Sequence, residues 1–134
     1  MSARHARRLA GVVSLVWLAA CSDAMGPGVE PEIRNIADNF EFQVSQLSNY
    51  SGVLEYTWSN SGTQANVNQA TELSAGSAHL RLLSPQGNLL YSRELAENGT
   101  FGTESAEPGS WRVRVEFTGA SGHINFRVQK RLVQ

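Results

Sequence analysis

The sequence predicts an all-β protein: an antiparallel, jelly-roll-like β-sandwich of about eight strands, preceded by a cleaved signal helix and a flexible tether. From Asp38 onward, apolar and polar residues alternate with a period of two, which is typical of strands with one buried face. Turn signals rich in Gly, Pro and Asn recur about every eight to twelve residues, as they do in sandwiches and barrels. No helical periodicity follows the first apolar run.

The start of the chain has the order of an export signal. Arg4, Arg7 and Arg8 precede the apolar run 9–18 (LAGVVSLVWL), and two alanines then precede Cys21. The run is too short for a membrane span, which takes about 20 consecutive apolar residues. Basic residues, an apolar run and small residues before a cysteine together resemble the lipobox of bacterial lipoproteins.

This resemblance implies cleavage before Cys21 and attachment of lipid to its sulfur and to the new amino group. Two or more acyl chains would hold the protein stably at a membrane. Ser22 follows the cysteine, and the sorting rule known from enteric bacteria then implies the outer membrane, on its periplasmic or surface face. The predicted divisions are a signal peptide at 1–20, the lipidated cysteine with a flexible tether at 21–37, and a sandwich domain at 38–134.

Charge and cysteine content narrow the class of protein. The signal peptide carries three of the 11 basic residues and none of the 12 acidic ones, so the remaining chain is acidic. An acidic chain argues against a nucleic-acid partner, which requires a basic surface. Cys21 is the only cysteine, so no disulfide can form within the chain and stability must come from an apolar core. The sequence shows no cofactor-binding signature.

The strands follow one another along the domain. Apolar alternation predicts strands at 40–44, 54–58, 80–82, 89–91, 111–117 and 124–128, with weaker ones around Val67 and Phe101. Turns are predicted at 49–52, 60–62, 84–88, 98–99 and 118–122. Ile33 and Ile36 allow a short first strand or turn ahead of these. The polar stretch 63–73 is predicted to lie at an edge of a sheet.

The last two strands have the clearest pattern, and we predict that they form a hairpin at the centre of the core. If Phe117 pairs with Ile124, Arg114 faces Arg127 and Arg112 faces Gln129. Like charges directly opposite one another are destabilising, so this register requires either flanking acids such as Glu116 or an anionic partner that carries phosphate or carboxylate groups. The candidate ligand-binding residues are therefore Arg112, Arg114 and Arg127.

A second resemblance covers roughly the second half of the domain. The segments Leu80-x-Leu82-x-x-Pro85-x-Gly87, Pro108-Gly109-Ser110-Trp111-x-Val113-x-Val115 and Gly122-x-Ile124-x-Phe126-x-Val128 carry it. Together they are similar to bacterial β-sandwiches of the pre-peptidase C-terminal type. The resemblance implies a sandwich fold with an accessory or binding role, usually beside a secreted hydrolase.

Catalytic and metal signatures are weak. His79 and His123 are predicted on polar surfaces without metal-ligand spacing, and no Gly-x-Ser-x-Gly elbow occurs. Four carboxylates lie in or beside a loop-rich region: Glu94, Glu97, Glu104 and Glu107. They are interpreted as surface residues that keep the protein soluble. A calcium site that uses Glu104 and Glu107 is the alternative. Tyr56 and Trp58 share a face with Leu54, which favours a core role over a sugar-stacking platform.

Three functions remain open at this point. The leading hypothesis is a lipid-anchored, non-enzymatic module of the cell envelope that binds a protein or an anionic glycan. The alternative is a structural or accessory subunit that pairs with a partner protein through an edge strand, with 63–73 as the candidate edge. A hydrolase-associated domain is the third.

Overall fold

The computed structural model describes residues 30–132, so the predicted signal, Cys21 and most of the tether lie outside the described residues. Seven strands and no α-helix occur in this range, and the strands form one antiparallel sheet. The strands are β1 (Glu32–Ile36), β2 (Asn39–Asn60), β3 (Ala65–Gln69), β4 (Glu72–Leu83), β5 (Leu89–Glu94), β6 (Gly99–Gly102) and β7 (Gly109–Lys130). Within residues 30–132 there is thus no helix that could cross a membrane.

Two strands are much longer than the sequence predicted. β2 and β7 each contain 22 residues, and each joins two predicted strands into one. The turns predicted at 49–52 and 118–122 are therefore wrong, because both segments are bends inside continuous strands. In β2 the register shifts between Val44 and Leu47, between Leu47 and Tyr50, and between Tyr50 and Gly52. Such bulges bend and twist a strand without ending its pairing.

The bulges also keep both halves of each long strand facing one core. In β7 the buried residues have odd numbers from Trp111 to Phe117 and even numbers from Ile124 to Val128. Because side chains alternate between the two faces of a strand, an uninterrupted strand would turn one of these sets toward solvent. The extra residue at the bend shifts the alternation by one position, so the odd-numbered and the even-numbered residues are both buried.

β7 lies at the centre of the sheet. β2 pairs along one side of it, and β3 and then β4 pair along the other side. The bends fold this ribbon into two layers, as in sandwiches whose strands pass from one layer to the other through bulges. The five-stranded layer contains β1, residues 39–47 of β2, residues 122–130 of β7, β3 and β6. The four-stranded layer contains residues 50–60 of β2, residues 109–120 of β7, residues 77–83 of β4, and β5.

The aromatic core shows that the two layers pack face to face. The rings of Phe40 and Phe42 in the five-stranded layer lie 5.5 and 6.3 Å from the ring of Tyr56 in the four-stranded layer. Phe42 also lies 6.5 Å from Phe117 across the same interface. Phe126 stacks on Phe42 at 5.1 Å within the first layer. The predicted fold class, an all-β sandwich, is confirmed.

Two predictions about the sheet edges have different outcomes. The prediction that 63–73 forms an edge is wrong, because β3 pairs with β7 on one side and with β6 on the other. The prediction that Ile33 and Ile36 join the domain as a short first strand is confirmed, since β1 pairs with β2 along its full length. In the described part of the chain, strand pairing therefore starts at Glu32, inside the segment predicted as tether.

Candidate functional site

The outer face of the five-stranded layer is polar across four neighbouring strands. Arg34 of β1 pairs with Glu41 of β2, Glu41 pairs with Arg127 of β7, and Arg127 pairs with Asn68 of β3. Because directly opposed residues on one face have neighbouring side chains, these four form one row across the layer. The row alternates in charge and ends in an amide.

A shallow cavity of about 430 Å³ covers this row. Its lining residues are Glu32, Ile33, Arg34, Glu41, Phe42, Gln43, Asn68, Asn125 and Arg127. Four strands at a spacing of about 4.8 Å make the cavity roughly 14 Å long across the sheet. Two arginines, two glutamates and three amides therefore converge on one groove, which we call the polar groove.

Hydrogen bonds hold two of these side chains, Glu41 and Asn68, in place. The amide nitrogen Nδ2 of Asn39 donates to Oε2 of Glu41 at 2.9 Å, and Nδ2 of Asn68 donates to Oγ1 of Thr100 at 2.8 Å. Within residues 30–132, no carboxylate lies within 4 Å of the guanidinium of Arg34 or Arg127. The groove thus combines an oriented carboxylate with two guanidinium groups whose donors are available to a ligand.

The structure does not bring the three predicted arginines together. The predicted pairing of Arg114 with Arg127 is wrong, because residues 118–122 are a bend and not a hairpin turn. Arg114 lies on the outer face of the four-stranded layer, between Glu55 and Arg81 in the register. Its Nη1 is 4.0 Å from Oε2 of Glu55. Arg112 lies on the same face as Arg114, and only Arg127 lines the polar groove.

A second polar cluster occupies the outer face of the four-stranded layer. Nδ1 of His79 lies 2.5 Å from Oε2 of Glu94, and Nε2 of His79 lies 2.7 Å from Oγ of Ser92. In the register of β4 and β5, His79 is directly opposite Glu94, and Arg81 is directly opposite Ser92. Ser92 also lines a separate cavity of about 280 Å³ beside β5.

The remaining predicted candidates have other surroundings. Trp58 is fully buried, which confirms its core role, and Tyr56 packs on the aromatic core. Nδ1 of His123 lies 3.4 Å from Oγ of Ser45. Glu107 accepts a hydrogen bond from Gln86 at 2.8 Å. Among residues 30–132, no group of three or more His, Cys, Asp or Glu side chains is placed to hold a metal ion.

A buried polar network joins the two layers beneath β5. The hydroxyl of Tyr91 donates to Oε1 of Gln69 at 2.6 Å, and Nε2 of Gln69 donates to the carbonyl oxygens of Glu94 and Glu97. Burial raises the pKa of Tyr91 to about 12, although the charge of Arg93 opposes this shift. Tyr91 therefore remains a neutral hydrogen-bond donor at physiological pH, and the network fixes the position of β5.

Sequence reasoning missed most residues of both clusters as sites. Glu32 and Arg34 were assigned to the tether, although they alternate with Ile33 as residues of a strand do. In the sequence, Glu41 gives no signal beyond the polar face of a strand. His79 and Glu94 are 15 residues apart in the chain, so no sequence motif joins them.

No known protein family matches the chain, and no curated protein matches it. Among solved structures, it is similar to a glycoside hydrolase family 43 arabinoxylan arabinofuranohydrolase from Bacillus subtilis, crystallised in complex with cellotetraose. The similarity has a TM-score of 0.26 and 16% sequence identity, and it covers 81% of this chain. The chain matches 24% of that enzyme's length. A similarity this low supports no statement about function.

Proposed function

We propose that this protein is a lipid-anchored binding module of the cell envelope, and that its polar groove recognises a glycan without catalysing a reaction on it. The observation that carries the proposal is the polar groove itself, where seven charged or amide side chains from four strands surround one cavity. Sugar hydroxyls both donate and accept hydrogen bonds. Asn and Gln amides do the same, while Arg supplies donors and Glu supplies acceptors.

The charges in the groove favour a neutral glycan over an anionic one. Glu41 lies between Arg34 and Arg127 in the register, and Glu32 brings the number of acids in the groove to two, equal to the number of arginines. An anion would meet repulsion from these carboxylates. A neutral glycan can instead take charge-assisted hydrogen bonds from the arginines and give its own to Glu41.

The segment between the proposed anchor and the groove is short, which supports ligand binding close to a membrane. From Cys21 to Glu30 the chain can span at most about 35 Å. The groove begins at Glu32, so a protein lipidated at Cys21 would hold it near the membrane surface. Glycans attached to that membrane, or lying beside it, would be within reach.

The test is glycan binding by the detergent-purified protein and two arginine variants. Arg127→Ser removes a donor from the groove, and Arg114→Ser removes an arginine from the opposite outer face as a matched control. A hydrogen bond from a charged group is worth about 1.5–3 kcal/mol, so Arg127→Ser should weaken binding about tenfold or more. Binding to immobilised neutral and uronic-acid oligosaccharides measures this. Equal effects of both variants would contradict the proposal, and a preference for uronic acids would contradict its neutral-ligand part.

A structural or accessory subunit remains the alternative, and one observation favours it. Within residues 30–132, β1 pairs with β2 alone, and its side chains Ile33 and Ile36 are 37% and 48% exposed. An edge with exposed apolar residues can pair with a strand of another protein. Under this alternative, Ile36→Glu should abolish partner binding, while Arg127→Ser should leave it unchanged.

A further inference from the structure

We propose that Ser92, His79 and Glu94 form an acyl-transfer site, in which Ser92 is an activated nucleophile toward small carboxylic esters. The site lies on the outer face of the four-stranded layer, opposite the polar groove, and does not depend on glycan binding. A serine bonded to a histidine whose other nitrogen bonds a carboxylate is the arrangement by which proteins activate a hydroxyl. Here the two distances are 2.7 and 2.5 Å.

The hydrogen bonds determine the tautomer of His79. An ionised carboxylate only accepts hydrogen bonds, so the contact between Glu94 and Nδ1 places a proton on Nδ1. In the neutral ring, Nε2 is then an acceptor, and the hydroxyl of Ser92 donates to it. Nε2 is therefore the nitrogen that can remove the proton from Ser92, which is the tautomer required of a general base.

The strand register holds this arrangement in place. Ser92 and Glu94 are two residues apart on β5, so their side chains lie on the same face. His79 lies opposite Glu94 on the neighbouring strand β4. The side chain of His79 is 23% exposed, which leaves it held by its two partners but open to a substrate at Ser92.

The cavity beside β5 provides room for an acyl group and a donor for the oxyanion. Its lining residues are Leu89, Leu90, Tyr91, Ser92, Arg93, Gly102 and Glu104, and the exposed side chain of Leu89 offers an apolar contact to a short acyl chain. Among the described strands β5 pairs with β4 alone, and on its other side the carbonyl of Leu90 accepts from the N–H of Glu104 at 3.0 Å. The N–H of Leu95 donates to the carbonyl of Ala78 in β4, so by the alternation of an antiparallel strand the N–H of Ser92, three residues earlier, points away from β4. There it can donate to the oxygen that becomes charged during attack.

The chemistry uses only the ester and water. Oγ of Ser92 bonds to the ester carbonyl carbon while Nε2 of His79 takes the hydroxyl proton. The alcohol leaves with that proton, and the acyl group remains on Ser92. Water then attacks the acyl-serine with His79 again accepting a proton, which releases the carboxylic acid and restores the hydroxyl of Ser92. Glu94 holds the ring and stabilises its charged form throughout.

The test is labelling of the full lipidated protein in detergent with a fluorophosphonate probe. The bond from Oγ to phosphorus forms, fluoride leaves, and His79 takes the proton. We expect one label per chain, located by peptide mass spectrometry on Ser92 and absent in Ser92→Ala. Because general-base catalysis contributes 10²–10⁴-fold, His79→Gln should slow labelling about 100-fold or more, and Glu94→Gln should slow it about tenfold or more.

The chain contains its own control. Ser45 also lies near a histidine, at 3.4 Å from Nδ1 of His123, but no carboxylate is bonded to that ring among the described residues. The proposal predicts no label on Ser45. Labelling of Ser92 no faster than Ser45, or unchanged in a folded His79→Gln variant, would overturn it. A burst of p-nitrophenol from p-nitrophenyl acetate, lost in Ser92→Ala, is the second expected result, and its absence in the unmutated protein would equally count against an acyl-transfer site.

Discussion

Single buried side chains account for much of the stability of this domain, and Trp111 is the clearest case. Its ring is fully buried and lies 6.0 Å from that of Trp58 at an interplanar angle of 90°. Edge-to-face pairs of this kind add about 0.5–1.5 kcal/mol to the free energy of burial. The indole N–H also donates to the carbonyl oxygen of Glu107 at 2.9 Å, so the ring is both packed and hydrogen-bonded.

Replacing Trp111 with alanine should lower the free energy of unfolding by about 3–5 kcal/mol. The loss comes from the cavity left by the ring and from the unpaired carbonyl of Glu107. Urea denaturation followed by circular dichroism measures it. Val53→Ala is the control, since Val53 is 46% exposed and its truncation should cost under about 1 kcal/mol. Similar costs for the two variants would show that Trp111 is not part of the core.

Asp38 links the end of the β1–β2 hairpin to the turn after β2. The backbone N–H of Ser61 donates to its Oδ1 at 2.7 Å and is the main cause of a lowered pKa at Asp38, whereas burial opposes the shift. The hydroxyl of Ser61 and the charge of Lys130 lower the pKa further. Because the pKa is lower in the folded state, ionised Asp38 stabilises the fold above its ordinary pKa of 3.8. That contribution is lost as pH falls through the lowered value.

Asp38→Asn should therefore lower the melting temperature at pH 7, and its difference from the unmutated protein should shrink as the pH falls below 3.8. Asparagine keeps the shape of the side chain and tolerates the left-handed conformation of this residue, which has φ of 67°. Thermal denaturation between pH 2 and pH 7 measures the difference. Ser61→Ala removes only the weaker hydroxyl donor and should have a smaller effect of the same kind. If Asp38→Asn lowered the melting temperature equally at every pH, the charge of Asp38 would not be the cause of the stabilisation.

At the level of elements, the bends of β2, β4 and β7 create the two layers. Gly76 shows why the bend in β4 requires glycine. Its φ is +71°, and an added Cβ would overlap the carbonyl oxygen of Gly119 in β7. The two backbones therefore approach each other more closely than any side chain allows.

Gly76→Ala should destabilise the domain by more than about 3 kcal/mol, because backbone strain and overlap with β7 act together. Gly87→Ala is the matched control. Gly87 has φ of +88°, but its added Cβ would make an ordinary contact of 3.5 Å with Arg112, so only the strain of about 1–2 kcal/mol applies. Urea denaturation of both variants separates the two costs, and equal losses would mean that close approach is not the constraint at Gly76.

At the level of the whole molecule, the two outer faces carry different chemistry. The five-stranded layer presents the polar groove, and the four-stranded layer presents the cluster of Ser92, His79 and Glu94. The anchor proposed at Cys21 would attach near β1 and hence near the groove. The segment that attaches the protein to the membrane and the groove that binds the ligand would then be neighbours in the chain.

The anchor itself predicts a defined mass. Protein purified from its native membrane should have the mass of residues 21–134 with acyl chains added. A Cys21→Ser variant should lack the added mass and move to the soluble fraction, because acyl chains supply the membrane affinity. Intact mass spectrometry with membrane fractionation measures both. An unmodified mass in the original protein would remove the lipoprotein interpretation and make a freely diffusing module the better hypothesis.

Local sequence patterns were sufficient to predict the strand class and most of the core. Alternation with a period of two does not depend on distant partners, so it correctly placed Trp58, Trp111 and Phe126 in the interior. The turn at 84–88 was also predictable, because proline and glycine favour that conformation locally and the N–H of Gly87 does bond to the carbonyl of Ser84.

Which glycine-containing segments end a strand and which bend it depends on contacts between strands that are distant in sequence. The local conformations of Gly119 and Gly122 are compatible both with a hairpin turn and with a bulge. The segment is a bulge here because β2 continues to pair with β7 on both sides of it. That choice set the register, and the register separated Arg114 from Arg127 and placed Arg127 beside Glu41. Contacts between strands far apart in sequence assembled both clusters, and alternation within a single strand carries no information about them.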